Sequence, residues 1–190
     1  MSTLSRSLQM PLEIFNSAGD FLDKFDPLRH GCLVLDVRLL GKSGLELLEK
    51  LHQDGVFIAA IVISADAEVP TAVRVLRAGA ITFLEKPLDE LQLREALQEA
   101  LRRDAEYRRR QTQIDRIRRR REKLTEGEGE VLALLLAGKL NREIAESLKI
   151  SVRTVEVRRA KLMGKMKAAS MPEMLHDAIL LEIFSERKAR

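Results

Sequence analysis

Cysteine is all but missing from this sequence. Cys32 is the only one among 190 residues, so the chain can form no internal disulfide and no cysteine-based zinc site. Set in an apolar run, it is expected to be a small core residue. No apolar stretch approaches the roughly 20 residues needed to span a bilayer. The opening MSTLSRSLQM lacks the apolar core of a signal peptide. A cytoplasmic protein without membrane contact is expected. Internal repeats are absent, and the one biased tract is an arginine-dense segment, residues 89–120, in which Tyr107 is the only aromatic.

The length suits one large domain or two small ones, and the change in character near the middle favours two. The net charge is +4 with a pI of about 9.4, and the excess sits largely in the central segment and the C-terminal third. Such a balance suits a phosphate-rich partner without establishing one.

The front half alternates between two kinds of pattern. Short apolar runs at residues 12–15 (LEIF), 32–37, 57–63 (FIAAIVI) and 81–84 (ITFL) predict strands. Between them lie helical segments, AGDFLDKF after Ser17, GLELLEKLHQ after Ser43 and VPTAVRVLRAGA after the loop 64–68. Strands alternating with helices predict a parallel sheet covered on both faces, with chemistry gathered beyond the carboxyl ends of the strands. Three residues reach that edge: Asp36, Ser64 and Lys86, the last followed by Pro87. A carboxylate, a hydroxyl and an ammonium are a nucleophile, a hydrogen-bond donor and a charge stabiliser for a phosphoryl group. Singly, each has a plainer role as turn former, helix cap or surface charge.

These segments resemble the receiver domains of two-component response regulators. The resemblance rests on DVRLLGKSGLELLE, VISADAEVPTAVRVLRAGA and FLEKPLD. It implies a flavodoxin-like α/β fold in which Asp36 accepts phosphate from a histidine kinase and Ser64 and Lys86 meet the phosphoryl oxygens. It also implies Mg²⁺ held by Asp36 and the backbone carbonyl of Arg38. Two departures stand out. The family's first strand, ending in a pair of acids that hold Mg²⁺, is not found, and Leu40 replaces the usual loop proline. An incomplete N-terminus is expected in preference to a degenerate receiver working without phosphorylation, because the rest of the triad is intact. Asp66 and Glu68 are the loop acids that would stand in at a metal site. With the first strand missing, residues 12–15 would pair beside 32–37, or a second chain would cover that edge.

Leu91, Leu93, Ala96, Leu97, Ala100 and Leu101 give a helical apolar face and predict a helix packed on the sheet. Beyond them the basic run YRRRQTQIDRIRRRREK leaves three readings open: a solvated helical linker, a dimerising coiled coil, or a contact to DNA phosphates. From Thr125 onward the chain predicts four helices. Thr125 and Glu128 form a capping box for the first, Asn141 caps REIAESL, and Ser151 caps VRTVEVRRAKLMGKMK. A last helix covers residues 172–184. Short helices joined by a tight turn, the later one studded with cations, fit a helix-turn-helix or a plain basic bundle. Arg153, Arg159, Lys161 and Lys165 would hold phosphates, Lys139 and Asn141 would anchor the preceding helix, and Thr154, Glu156, Val157 and Ala160 would face base edges.

LTEGEGEVLALLLAGKLNREIAESLKISVRTVEVRRAKLMGKM resembles the LuxR-type DNA-binding domain along its length, with Arg158 where many relatives have histidine. Together the two resemblances give the arrangement of NarL/FixJ-type response regulators. They imply a receiver over residues 1–103, a basic helical linker over 104–123 and an all-α helix-turn-helix domain over 124–190. The expected function is a homodimeric transcription regulator whose phosphorylation at Asp36 controls binding to double-stranded DNA. The alternative is a DNA-binding regulator whose receiver serves only protein interaction. No separate substrate pocket for an enzyme is expected.

Overall fold

The computed structural model describes residues 11–38, 43–65 and 68–188. The chain divides into two compact units, Met1–Arg108 and Arg109–Arg190.

In the first unit the described strands are β1 (Cys32–Asp36), β2 (Ala59–Ser64) and β3 (Thr82–Glu85), all parallel, in the order β1-β2-β3. The helices are α1 (Ala18–Lys24), α2 (Gly44–Gln53), α3 (Val69–Arg77) and the first part of α4 (Glu90–Arg121). Strand β2 is buried on both sides, as its unbroken apolar run requires. Ala60 and Val62 join α1, α2 and α3 on one face, while Ala59 and Ile61 meet Leu93, Ala96, Leu97 and Ala100 of α4 on the other. Cys32 packs at the edge of this second cluster. The predicted caps form: the hydroxyls of Ser17 and Ser43 accept the N–H groups of Asp20 (3.1 Å) and Glu46 (3.2 Å).

Residues 12–15 do not form the predicted strand. None of the described strands pairs with them, and without a partner's N–H and C=O groups an extended segment gains nothing from its alternation. Leu12 and Ile14 are exposed, Glu13 pairs with Arg29, and Phe15 instead meets Phe21 edge to face at 5.3 Å.

Residues 104–108, read from sequence as the start of a linker, pack within the first unit. Asp104, only 4 % exposed, accepts the Gly31 N–H at 3.3 Å and the Arg108 guanidinium at 2.9 Å. Arg108 also donates to the carbonyls of Pro27 (3.3 Å) and Leu28 (2.9 Å), clamping the loop that feeds β1. Tyr107 stacks on Phe57 at 4.0 Å.

The second unit holds the rest of α4 with α5 (Glu126–Leu136), α6 (Asn141–Leu148), α7 (Val152–Met166) and α8 (Met171–Lys188). Ile114 and Ile117 of α4 are buried with Leu132, Leu162, Met166, Met174, Ala178 and Leu181. A second cluster, Val131, Ile144, Ala145 and Val155, joins α5, α6 and α7. Asn141 does not cap α6 as expected. It is the first helical residue, Leu140 takes the cap position, and Glu143 accepts the Leu140 N–H at 2.7 Å.

Candidate functional site

Two sites follow from these frameworks, one in each unit. At the carboxyl edge of the sheet, β1 delivers Asp36, β2 delivers Ser64, and the turn after β3 delivers Lys86. Parallel register aligns their ends. The Val37 N–H donates to the Ile63 carbonyl at 2.9 Å, and the Lys86 N–H donates to the Ser64 carbonyl at 2.8 Å. The Lys86 ammonium reaches across to donate to Asp36 Oδ2, while the Arg38 N–H donates to Oδ1 at 2.9 Å. The Lys86–Pro87 peptide bond is cis. Partial burial pushes the Asp36 carboxyl upward, but the Lys86 and Arg38 hydrogen bonds together outweigh it and hold the group below its ordinary 3.8. Asp36 is therefore an anion at neutral pH, which a nucleophile must be. Ser64, at the carboxyl end of the neighbouring strand β2, is buried.

Gly44 is a positioning residue that local sequence pattern does not mark. Its N–H donates to the Val37 carbonyl at 3.0 Å, and a Cβ there would overlap the Asp36 carbonyl and come within 2.9 Å of Leu35 Cγ. The glycines of the loop were visible; the approach of α2 to the end of β1 was not.

A divalent cation finds little here. No group of three His, Cys, Asp or Glu side chains capable of holding a metal occurs among the described residues. Both oxygens of Asp36 already accept hydrogen bonds, and the Arg38 carbonyl is the one other ligand expected in the same turn. Asp66 and Leu40 lie outside the described residues, and Glu68 is an exposed residue at the start of α3. The residues described do not fit Mg²⁺, which demands near-octahedral oxygen ligation.

In the second unit α7 follows α6 through a tight turn in which Lys149 takes a left-handed conformation (φ 52°). The Ser151 hydroxyl accepts the Thr154 N–H at 3.1 Å and caps α7, as expected. One stripe of α7, Val155, Leu162 and Met166, is buried. The opposite stripe is Arg153, Glu156, Val157, Ala160 and Lys161, all exposed at helical spacing. Thr154 is half-buried at its edge, and Lys139 sits before α6, 3.5 Å from Glu143.

Two cations expected to hold phosphates, Lys165 and Arg159, turn inward instead, and so does Arg158, expected among the DNA contacts. The Lys165 ammonium donates to Glu128 Oε2 at 2.6 Å, where Glu128, 3 % exposed, also accepts the Thr125 N–H at 2.8 Å. Those two bonds hold the Glu128 carboxyl below its ordinary value despite burial. The Arg158 guanidinium lies over Gly127, donating to its carbonyl at 3.3 Å, with Glu130 at 3.8 Å. A Cβ at Gly127 would come within 2.6 Å of that guanidinium. Arg159 donates to Asn141 Oδ1. Together they fasten α7 to α5 and α6. Thr125 and Glu128 announce a cap in the sequence, but nothing there links Glu128 to a lysine 37 residues away.

Comparison with known proteins bears on both sites. The response regulator receiver domain family matches residues 1–98, and the luxR family of bacterial regulatory proteins matches residues 122–178. The transcriptional regulatory protein FixJ of Azorhizobium caulinodans is 45 % identical over 164 residues, which are 86 % of this chain and 78 % of that one. The response regulator protein TmoT of Ectopseudomonas mendocina is 38 % identical over 175 residues, 92 % of this chain and 80 % of that protein. The solved structure of response regulator StyR superposes with a TM-score of 0.78 at 38 % identity, covering 92 % of this chain and 88 % of the other. With a receiver-family match over the first unit, a luxR-family match over the second and relatives aligned over most of their length, the chain belongs to the NarL/FixJ-type two-component response regulators.

Proposed function

We propose that Asp36 is the phosphoacceptor of this two-component transcription regulator and that its phosphorylation controls DNA binding by α7. The observation that carries the reading is the Asp36 carboxylate, ionised and braced by Lys86, at the edge where β1, β2 and β3 end together. In the transfer, an Asp36 oxygen attacks the phosphorus of a phosphohistidine on a histidine kinase. The P–N bond breaks and its electron pair returns to the imidazole. The Lys86 ammonium, on Asp36 in the resting state, then lies against the new phosphoryl oxygens and offsets their charge, with the Ser64 hydroxyl beside them. Receiver domains of this family bind Mg²⁺, whereas the described residues here do not assemble its ligands, so no step is assigned to the ion.

The DNA-reading surface is the stripe Arg153, Glu156, Val157, Ala160 and Lys161, with Thr154 at its edge and Lys139 before α6. Glu156 suits a cytosine amino group, and Val157 and Ala160 suit thymine methyls. Arg158, Arg159, Lys165 and Asn141 support that surface from behind. The receiver function belongs to residues 1–108 and the DNA-reading function to 109–190, with the basic half of α4 part of the latter unit. The protein works in the cytoplasm as a homodimer. The exposed apolar stripe Val69, Val73 and Leu76 on α3 supports self-association, and no described helix is long and apolar enough to cross a membrane.

The single-carboxylate site also supports a second reading, in which the receiver serves protein interaction without phosphorylation. One experiment separates the two. Incubation with a small-molecule phosphodonor, read by intact mass, should label the chain weakly, and Asp36→Asn should abolish the label. Labelling that persists in Asp36→Asn would remove Asp36 from its role, and no labelling, even with a histidine kinase as donor, would favour the second reading.

A further inference from the structure

The two parts of α4 differ in charge. From Glu90 to Arg108 there are five acids and four bases. Most pair along the helix: Arg94 with Glu90, Arg102 with Glu99 and Glu106, Arg103 with Glu99, and Arg108 with Asp104. From Arg109 to Lys123 there are eight bases against two acids, an excess larger than the +4 of the whole chain. Here Arg118 pairs with Asp115 at 3.1 Å and Arg120 donates to the Met166 carbonyl at 3.0 Å. Arg109, Arg110, Arg116, Arg119, Arg121 and Lys123 are exposed and have no ion partner among the described residues.

Their placement is not random. Arg109, Thr112, Gln113, Arg116 and Arg119 follow one another at helical spacing, all exposed, and make a face of hydrogen-bond donors with no acid in it. It lies away from Ile114 and Ile117, which fix this part of α4 in the core of the second unit with Leu162 and Met166 of α7. Unpaired guanidiniums crowded on one helix face repel one another unless an anionic partner is present. Meanwhile the exposed stripe of α7 carries only two cations, Arg153 and Lys161, because Arg158, Arg159 and Lys165 are committed internally. Phosphate neutralisation supplies most of the affinity of a protein for duplex DNA.

We infer that the face Arg109, Arg116 and Arg119 of α4 is a second DNA-backbone contact, holding phosphates outside the bases read by α7. The inference rests on the DNA-binding reading above and adds to it the element that supplies affinity. The rise from Arg109 to Arg119 is about 15 Å, a length along which duplex DNA carries roughly nine phosphates at one per ~1.7 Å.

The test uses the full chain and a fluorescein-labelled mixed-sequence duplex, with affinity measured by anisotropy over a range of salt. R109Q/R116Q/R119Q should make the slope of log affinity against log salt shallower by about two to three, at about 0.9 per phosphate. It should leave the relative preference among duplexes unchanged. R109K/R116K/R119K should retain the slope, showing that charge and not packing is read, and thermal melting by circular dichroism should match the wild type for both. R102Q/R103Q, removing cations already paired with Glu99, should leave the slope unchanged. An unaltered slope in the glutamine variant of a wild type that binds DNA would overturn this inference alone. An equal loss in R102Q/R103Q would overturn it too, by making net charge the cause. A wild type that binds no duplex at low salt would overturn the DNA-binding reading and this one with it.

Discussion

A side chain at Gly44 would have to displace the Asp36 carbonyl or Leu35, both held by β1. Gly44→Ala is expected to cost about 1–3 kcal/mol in overpacking and to reduce labelling at Asp36 more than the stability loss explains, measured by thermal unfolding beside phosphodonor labelling. Glu128 presents a different case. Its hydrogen bonds from Lys165 and from the Thr125 N–H lower its folded pKa beneath the ordinary 4.5. The stability this contributes is present in full above about that value and is lost as pH falls through the depressed folded value. Unfolding followed across the acid range should show Glu128→Gln with a lower melting temperature at neutral pH and a shallower further loss below it. An acid limb as steep as the wild type's would show that another carboxylate governs it.

At the scale of the element, α7 separates its duties by face. The buried stripe Val155, Leu162 and Met166 builds the core, the flank of Arg158, Arg159 and Lys165 fastens the helix, and the exposed stripe remains for a ligand. Glu156→Ala and Val157→Ala should therefore change which duplex is preferred, by about 1–3 kcal/mol per lost base contact, in a binding comparison over a library of sites. Arg158→Ala and Lys165→Ala should instead lower the melting temperature and weaken all sites alike. Helical spacing in the sequence located α7 and its cap at Ser151. It did not distinguish fastened from free cations, because Arg158 and Arg153 look alike until Gly127 is placed beneath one of them. The segment 12–15 failed for a related reason: its alternation suits a strand, but a strand also needs a neighbour.

For the whole molecule, the contact boundary after Arg108 makes a direct prediction about α4. Ile114 and Ile117 are 1 % and 2 % exposed in the second unit's core, and truncating each is expected to cost about 2–5 kcal/mol. A fragment of residues 109–190 should therefore melt cooperatively and well above a fragment of 124–190, as followed by circular dichroism. Equal melting temperatures would return the basic segment to the role of a solvated linker.

Much of this protein is legible in one dimension. The alternation of strand and helix, the caps at Ser17, Ser43 and Ser151, and the delivery of Asp36, Ser64 and Lys86 to one sheet edge all follow from local pattern, because each depends on residues a few positions apart or on the rule that parallel strands end together. The rest depends on pairs far apart in the chain. Lys86 braces Asp36 across 50 residues, Asp104 holds Gly31 across 73, and Glu128 holds Lys165 across 37. A charge in the sequence carries no mark of its partner, so which cations are spent within the fold and which remain for phosphate is settled when the helices pack.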